Sequence, residues 1–330
     1  MEKIKAGVIG CGHLGKMHIR NIKELEKERK DLELAGVYDI DFFKCENTAR
    51  EFRTKPFIDF DNFLKSVNAV IIVSPTSTHF DIALRTITNN IHTFIEKPVT
   101  DKPEDAYLLR AEHDLHKSTV VQVGHIERFN PALLAVERYR IAPLFIESHR
   151  LSQYNPRGTD VSVIQDLMIH DIDIILSLVN SRVKKIDANG VAIITDKFDI
   201  ANARLQFENG CVANITASRI SQKKMRKMRI FQNNAYISID FSENSSEVFS
   251  LEESGKSGKV IEKIEKDGKK LNIIYDKPKQ IKINAMKYEE NAFFDCIINK
   301  TQPVVTLEDG IQALEVATEI LKNIEENRVV

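Results

Sequence analysis

Cysteine is scarce in this chain and unpatterned. Cys11, Cys45, Cys211 and Cys296 are scattered, with no CxxC among them. That argues against a zinc site or a disulfide framework and fits a reducing cytoplasm. An excess of either charge is also lacking: 47 Lys and Arg stand against 48 Asp and Glu, for a formal net charge of −1. There is thus no global electrostatic footprint for nucleic acid or for an acidic membrane surface. No apolar run approaches about 18 residues, so a membrane-spanning helix is not expected. The first residues, "MEKIKAGVIGCG", enter a strand-like run at once, without the apolar h-region and cleavage site of a signal peptide. What is present is the balance of a soluble globular chain: 330 residues, 42% hydrophobic and 29% charged. That length suggests two domains, or one large one.

Up to about residue 125, short β-rich runs alternate with helical patterns. "IKAGVIG", "LELAGVYD", "AVIIVS", "HTFIEK" and "TVVQVGH" read as strands, with helices over 13–29 and 41–53 among the segments between them. Strands that are apolar nearly throughout belong to parallel sheets covered on both faces, so a doubly wound α/β sheet is predicted. Beyond about residue 140 the pattern changes. One long apolar helix is expected over 161–179. It is followed by strand-like runs, "VKKIDANGVAIIT", "IANARLQFE", "CVANITASR", "MRIFQ" and "AYISIDF". "QNNA" at 232–235 carries the chemistry of a tight hairpin. Residues 252–280, rich in Lys, Glu and Gly, read as solvated edge strands and turns. Helices over about 282–299 and 307–327 close an α+β domain with a large, mostly antiparallel sheet. The expected division is 1–125 and 126–330.

"GVIGCGHLG" contains Gly10-x-Gly12-x-x-Gly15 directly after a strand and at the opening of a helix, the context in which the spacing means dinucleotide binding. Gly10 permits the tight turn, Gly12 the approach of a pyrophosphate, and Gly15 close helix–strand packing. The helix N-terminus offers free N–H groups to phosphates. The second strand ends at Asp39, whose carboxylate suits ribose hydroxyls and repels a 2′-phosphate, favouring NAD over NADP. Ser74, Pro75 and Thr76 of "SPTSTH" follow an apolar strand and are placed to line the same cleft. The turn also reads as an ordinary helix entry, with Ser77 or Thr78 as cap. In "FIEKPVT", Pro98 biases Lys97 toward extended backbone at the carboxyl edge of the sheet. There a lysine can stabilise a developing oxyanion, although a solvent-facing lysine gives the same tripeptide.

In "DLMIHD", Asp166 and His170 stand four apart within the apolar run and share a helix face. The strand–GxGxxG, the "EKP" at 96–98 and this DxxxH together resemble the glucose–fructose oxidoreductase and inositol dehydrogenase family, Gfo/Idh/MocA, over the whole chain. The resemblance implies a catalytic group of Lys97, Asp166 and His170, an N-terminal NAD-binding Rossmann domain and a C-terminal domain for substrate binding and oligomerisation. "GHIERFNPA" and "VIQDLMIHDIDIIL" are similar to the subgroup that oxidises UDP-N-acetylglucosamine-type nucleotide sugars at the 3-position.

Histidine can take a hydroxyl proton near neutral pH, which makes His170 the expected general base. Asp166 would orient a sugar hydroxyl or bias the imidazole, and the site is expected where the domains meet. The expected cofactor contacts are Gly10, Gly12, His13, Leu14, Gly15, Asp39, Ser74, Pro75, Thr76, His79, Glu96 and Lys97. The expected substrate contacts are Lys97, Arg128, Asn130, Tyr154, Arg157, Asp166 and His170, with Asn155 beside them on the same loop. Arg128 reads equally as an interdomain salt bridge, and His125 as structural. No metal is expected, although Asp171 and Asp173 crowd the helix. The basic stretch 218–229 reads mainly as a solvated strand face. The partners implied are a nucleotide-sugar substrate and further copies of the chain, as a homodimer or homotetramer. The alternatives are a dehydrogenase of a free sugar or cyclic polyol such as myo-inositol, and a non-catalytic dinucleotide-sensing regulator.

Overall fold

The computed structural model describes residues 3–155, 161–253, 259–266 and 268–327. The chain divides into two compact units, Met1–Phe129 with Ile283–Leu314, and Asn130–Lys282 with Glu315–Val330. The first unit alternates β1 (Ile4–Ile9), α1 (His13–Glu28), β2 (Leu32–Tyr38), α2 (Phe42–Phe52), β3 (Pro56–Phe57), α3 (Phe60–Leu64), β4 (Ala69–Ile72), α4 (His79–Thr88), β5 (His92–Glu96), α5 (Pro103–Leu115) and β6 (Val121–Gly124). Its six strands are all parallel, in the order β3-β2-β1-β4-β5-β6. All four residues of β4 are buried, as a strand covered on both faces requires. The order reverses between β1 and β4, and ligands of such sheets lie at the carboxyl ends beside that switch point.

The second unit opens with the single turn α6 (Pro131–Leu134) and β7 (Phe145–Leu151). A π-helical turn, Ile164–Met168, leads into α7 (Ile169–Val179). The strands β8 (Val183–Val191), β9 (Ile200–Phe207), β10 (Val212–Ser218), β11 (Met225–Gln232), β12 (Ala235–Asp240), β13 (Ser245–Glu253), β14 (Lys259–Lys266) and β15 (Lys269–Asp276) follow. With β7 they form a nine-stranded sheet, β14-β15-β13-β12-β11-β7-β10-β9-β8, antiparallel except where β7 meets β10. The Asn233–Asn234 hairpin is as predicted, with Gln232 paired to Ala235. Residues 252–280 hold the edge hairpin β14–β15.

Two expectations need correction. The helix predicted over 161–179 is not uniform. Its first turn is widened, with the Ile169 N–H donating to the Ile164 carbonyl five residues back, and turns of this kind recur at functional sites. The second concerns the division at 125/126 and the assignment of everything after it to one domain. The break falls after Phe129, and α8 (Ala285–Asn299) with the start of α9 (Leu307–Glu326) belongs to the first unit. Phe293, Phe294 and Cys296 of α8 are buried with Ile4, Ile19 and Ile22. Leu307, Ile311 and Leu314 of α9 join the core around Val121 and Val123. Each fully buried phenylalanine side chain contributes about 1.5–3 kcal/mol, which is what binds a segment distant in sequence to the parallel sheet.

Candidate active site

The loop between β1 and α1 is shaped by glycine. Gly10 has φ +106°, and a Cβ there would meet the Ser74 amide nitrogen and the Val73 carbonyl at 2.8 Å. A Cβ on Gly15 would lie 1.9 Å from the Gly10 carbonyl oxygen. A side chain at either position is thus excluded by backbone. Gly12 differs: the nearest atom to a Cβ there is Lys44 Nζ at 3.9 Å. It faces open space in a cleft of about 760 Å³ lined by Gly10, Gly12, His13, Leu14, Asp39, Ser74 and Pro75, among others. Gly12 is also the N-cap of α1, with no side-chain cap bond, so the first N–H groups of the helix remain available to an anion. Bare backbone, a helix N-terminus and a terminal carboxylate fit a dinucleotide.

Asp39 is held rather than mobile. Its Oδ2 accepts the Cys11 N–H at 2.7 Å and its Oδ1 the Asp41 N–H at 2.9 Å. Lys44 Nζ stands 3.6 Å from Oδ2. Lys44, Tyr38, Phe60, Ile82 and Arg85 also line this cleft. Sequence reasoning missed them, because only the fold brings α2, α3 and α4 to one rim. In Asp39→Ala, NAD affinity should fall on the order of 10- to 100-fold, from the loss of hydrogen bonds to a charged group worth about 1.5–3 kcal/mol. With Lys44 and Arg85 left in the cleft, NADP should bind better than it does to the unaltered protein. Titration of both cofactors against both proteins measures this; tighter NADP than NAD binding by the unaltered protein would refute the role given to Asp39.

The remaining expected cofactor residues sit elsewhere. Gly15 is buried against Gly10. Thr76 begins a 3₁₀ turn, Thr76–Thr78, and is not on the cleft wall. The Thr78 hydroxyl bonds Ser74 Oγ and donates to the Pro75 carbonyl, so it does not cap α4. His79 is buried, with Nδ1 2.9 Å from the Pro98 carbonyl and Nε2 3.0 Å from that of Ser74. Burial holds its imidazole below the ordinary pKa. It ties two loops together and does not face the cleft. Lys97 directly follows β5, half-buried, before a cis peptide to Pro98, and its N–H donates to Glu96 Oε2 at 3.2 Å. Glu96 is buried, and neither residue lines the cleft.

Arg128, in the first unit, stands 3.5 Å from Asp309. Asp309 belongs to the same unit. His125 is buried. In the second unit Asn130 caps α6, accepting the Ala132 N–H, and its amide donates to the Phe241 carbonyl. These bonds use Oδ1 and one amide N–H of Asn130. Tyr154 and Asn155 are exposed; Arg157 lies outside the described residues. Asp166 sits in the π turn and His170 in the first turn of α7, both half-buried. Asp171 is buried and held by Arg150 Nε at 2.6 Å and Ser148 Oγ at 2.8 Å, and Asp173 is buried. In the basic stretch, Lys227 pairs with Asp240 and Arg229 with Glu147, as a solvated face would.

Comparison with known proteins supplies the context. Residues 4–125 match the family model for the NAD-binding Rossmann fold of the Gfo/Idh/MocA oxidoreductases, and residues 138–238 match the model of a C-terminal domain of the same family. The chain is 39% identical over 251 residues to UDP-N-acetylglucosamine 3-dehydrogenase of Acidithiobacillus ferrooxidans, covering 76% of this chain and 78% of the other. A solved structure of that enzyme superposes with a TM-score of 0.87, at 32% identity over 99% of each chain. The NAD(+)-dependent scyllo-inositol 2-dehydrogenase of Bacillus subtilis is 28% identical over 243 residues, 67% of this chain and 68% of the other. Among the described residues no helix is long and apolar enough to cross a membrane. The first unit thus carries an NAD-binding Rossmann domain, and the chain belongs to the Gfo/Idh/MocA family of dehydrogenases.

Proposed function

We propose that the protein oxidises a secondary hydroxyl of a nucleotide sugar of the UDP-N-acetylglucosamine type, at the 3-position, to a 3-keto sugar. The observation that carries this is the 39% identity over 76% of the chain to a UDP-N-acetylglucosamine 3-dehydrogenase, against 26–32% over 51–67% of it to inositol dehydrogenases. NAD, when bound, supplies the acceptor for the hydride leaving the carbinol carbon. His170 takes the hydroxyl proton as the C–H bond breaks, and returns it when the reaction runs backward. Lys97 donates a hydrogen bond to the same oxygen and stabilises the negative charge that grows on it. Asp166 orients the sugar or biases the imidazole. Asp39 and the glycine loop hold the dinucleotide.

The test is a panel of UDP-sugars and myo-inositol incubated with NAD, followed by NADH absorbance. UDP-N-acetylglucosamine should give the highest kcat/KM. Turnover of myo-inositol alone would move the assignment to the polyol dehydrogenases.

A second copy is the proposed partner of the open face of the large sheet. Phe145, Phe231, Tyr236, Phe249 and Tyr275 form a row across five strands, with successive ring centroids 5.8, 5.0, 5.7 and 5.0 Å apart. Glu147 and Arg229 stand beside it. Such a row can meet the same row of a second copy, as an isologous contact requires. Val191, Ile193 and Ile194 add exposed apolar surface. Light scattering should give a dimer or tetramer; a monomer mass at micromolar concentration would contradict it.

A further inference from the structure

We propose that His18, Glu96 and Glu290 form a buried clamp that positions the backbone of Lys97 for the reaction. The inference rests on the role given to Lys97 above. His18 lies on α1, Glu96 at the end of β5 and Glu290 on α8, all in the first unit. His18 Nδ1 is 2.7 Å from Glu290 Oε1, and its Nε2 is 3.0 Å from Glu96 Oε1. Asn21 donates to Glu290 Oε1 at 3.2 Å. The other oxygen of Glu96 accepts the Lys97 N–H. His18 and Glu290 are 0% exposed and Glu96 8%.

Burying two carboxylates and an imidazole costs several kcal/mol per ion unless they are paired, and apolar residues would fill the space at less cost. Here they meet directly behind the peptide that carries the lysine. Burial alone would lower the His18 imidazole, but its hydrogen bonds to Glu290 and then to Glu96 outweigh burial and hold it up at about 10. As imidazolium it donates from both nitrogens and fixes the Glu96 carboxylate, which fixes the Lys97 peptide. A displacement of about 1 Å at a reacting group can cost on the order of 100-fold in rate.

The two carboxylates are used differently, and that makes the clamp testable. Glu96 accepts on both oxygens, so a glutamine there must present an NH₂ group to one of its two donors. Glu290 accepts on Oε1 alone, and its Oε2 has no hydrogen-bond partner among the described residues. A glutamine there keeps the bond to His18.

The experiment measures kcat, KM, NAD affinity and thermal stability with the best substrate of the panel, for Glu96→Gln, Glu290→Leu, Glu290→Gln and Lys97→Met. Glu96→Gln and Glu290→Leu should lose on the order of 10- to 100-fold in kcat, with KM and NAD affinity close to the unaltered protein. Glu290→Gln should restore most of what Glu290→Leu loses. If Glu96→Gln does not accumulate folded, His18→Asn carries the same expectation. An unchanged kcat in Glu96→Gln overturns the clamp. So does a loss in Glu290→Gln equal to that in Glu290→Leu. Lys97→Met separates the two levels: if it keeps full turnover, the lysine's role fails and the clamp with it. If it loses turnover while Glu96→Gln does not, the clamp alone fails.

Discussion

His170→Asn should fold, bind NAD nearly as the unaltered protein does, and lose about 10²- to 10⁴-fold in kcat, the usual cost of removing a positioned general base. The asparagine keeps much of the shape of the imidazole but takes no proton near neutral pH. The expectation of a normal fold comes from the position: His170 is half-buried, while its neighbours Ile169, Asp171 and Ile172 are buried. Those neighbours, with the Arg150–Asp171 ion pair, hold the start of α7. Turnover beside thermal stability distinguishes the outcomes. Near-normal turnover would remove His170 from the chemistry, and a collapse of stability would make "DLMIHD" a structural pair. Asp166→Asn gives a finer division: a small loss if the carboxylate orients the sugar, and one close to that of His170→Asn if its charge tunes the imidazole.

Lys97→Met should lose about 10²- to 10³-fold in kcat, the scale set by removing one donor to a developing oxyanion. The methionine keeps most of the apolar stem and discards the charge. Since Lys97 is not on the wall of the dinucleotide cleft, NAD affinity should hardly change. A drop in NAD affinity with kcat preserved would make Lys97 a cofactor ligand instead. The proposed mechanism has both groups serving one oxygen, so the two variants should not be additive.

The parts legible in the sequence were those with local causes. Gly10-x-Gly12-x-x-Gly15 can be read because each glycine answers a backbone requirement visible within a few residues. The parallel strands announce themselves by being apolar on both faces. β7 is hard to read because its inward positions include the buried polar residues Ser148 and Arg150, both bonded to Asp171; the usual apolar alternation is absent. The placement of α8 in the first unit depends on partners some 270 residues away, such as His18 for Glu290, separated by 272 positions, and no local pattern records that. His79 and Asn130 show a third limit. Their residue types suit a ligand, but sequence does not say which way a side chain turns. The fold uses His79 to join two loops and Asn130 to cap a helix.

Deuterium at C3 of UDP-N-acetylglucosamine gives the most direct test of the central claim. Incubated with the protein and NAD, that sugar should yield NADH carrying one deuterium and an unlabelled 3-keto sugar, with slowed turnover where C–H cleavage limits the rate. Label placed at C2 or C4 should stay in the sugar. NADH formed without deuterium from the C3-labelled sugar, or with deuterium from another carbon, would contradict oxidation at the 3-position.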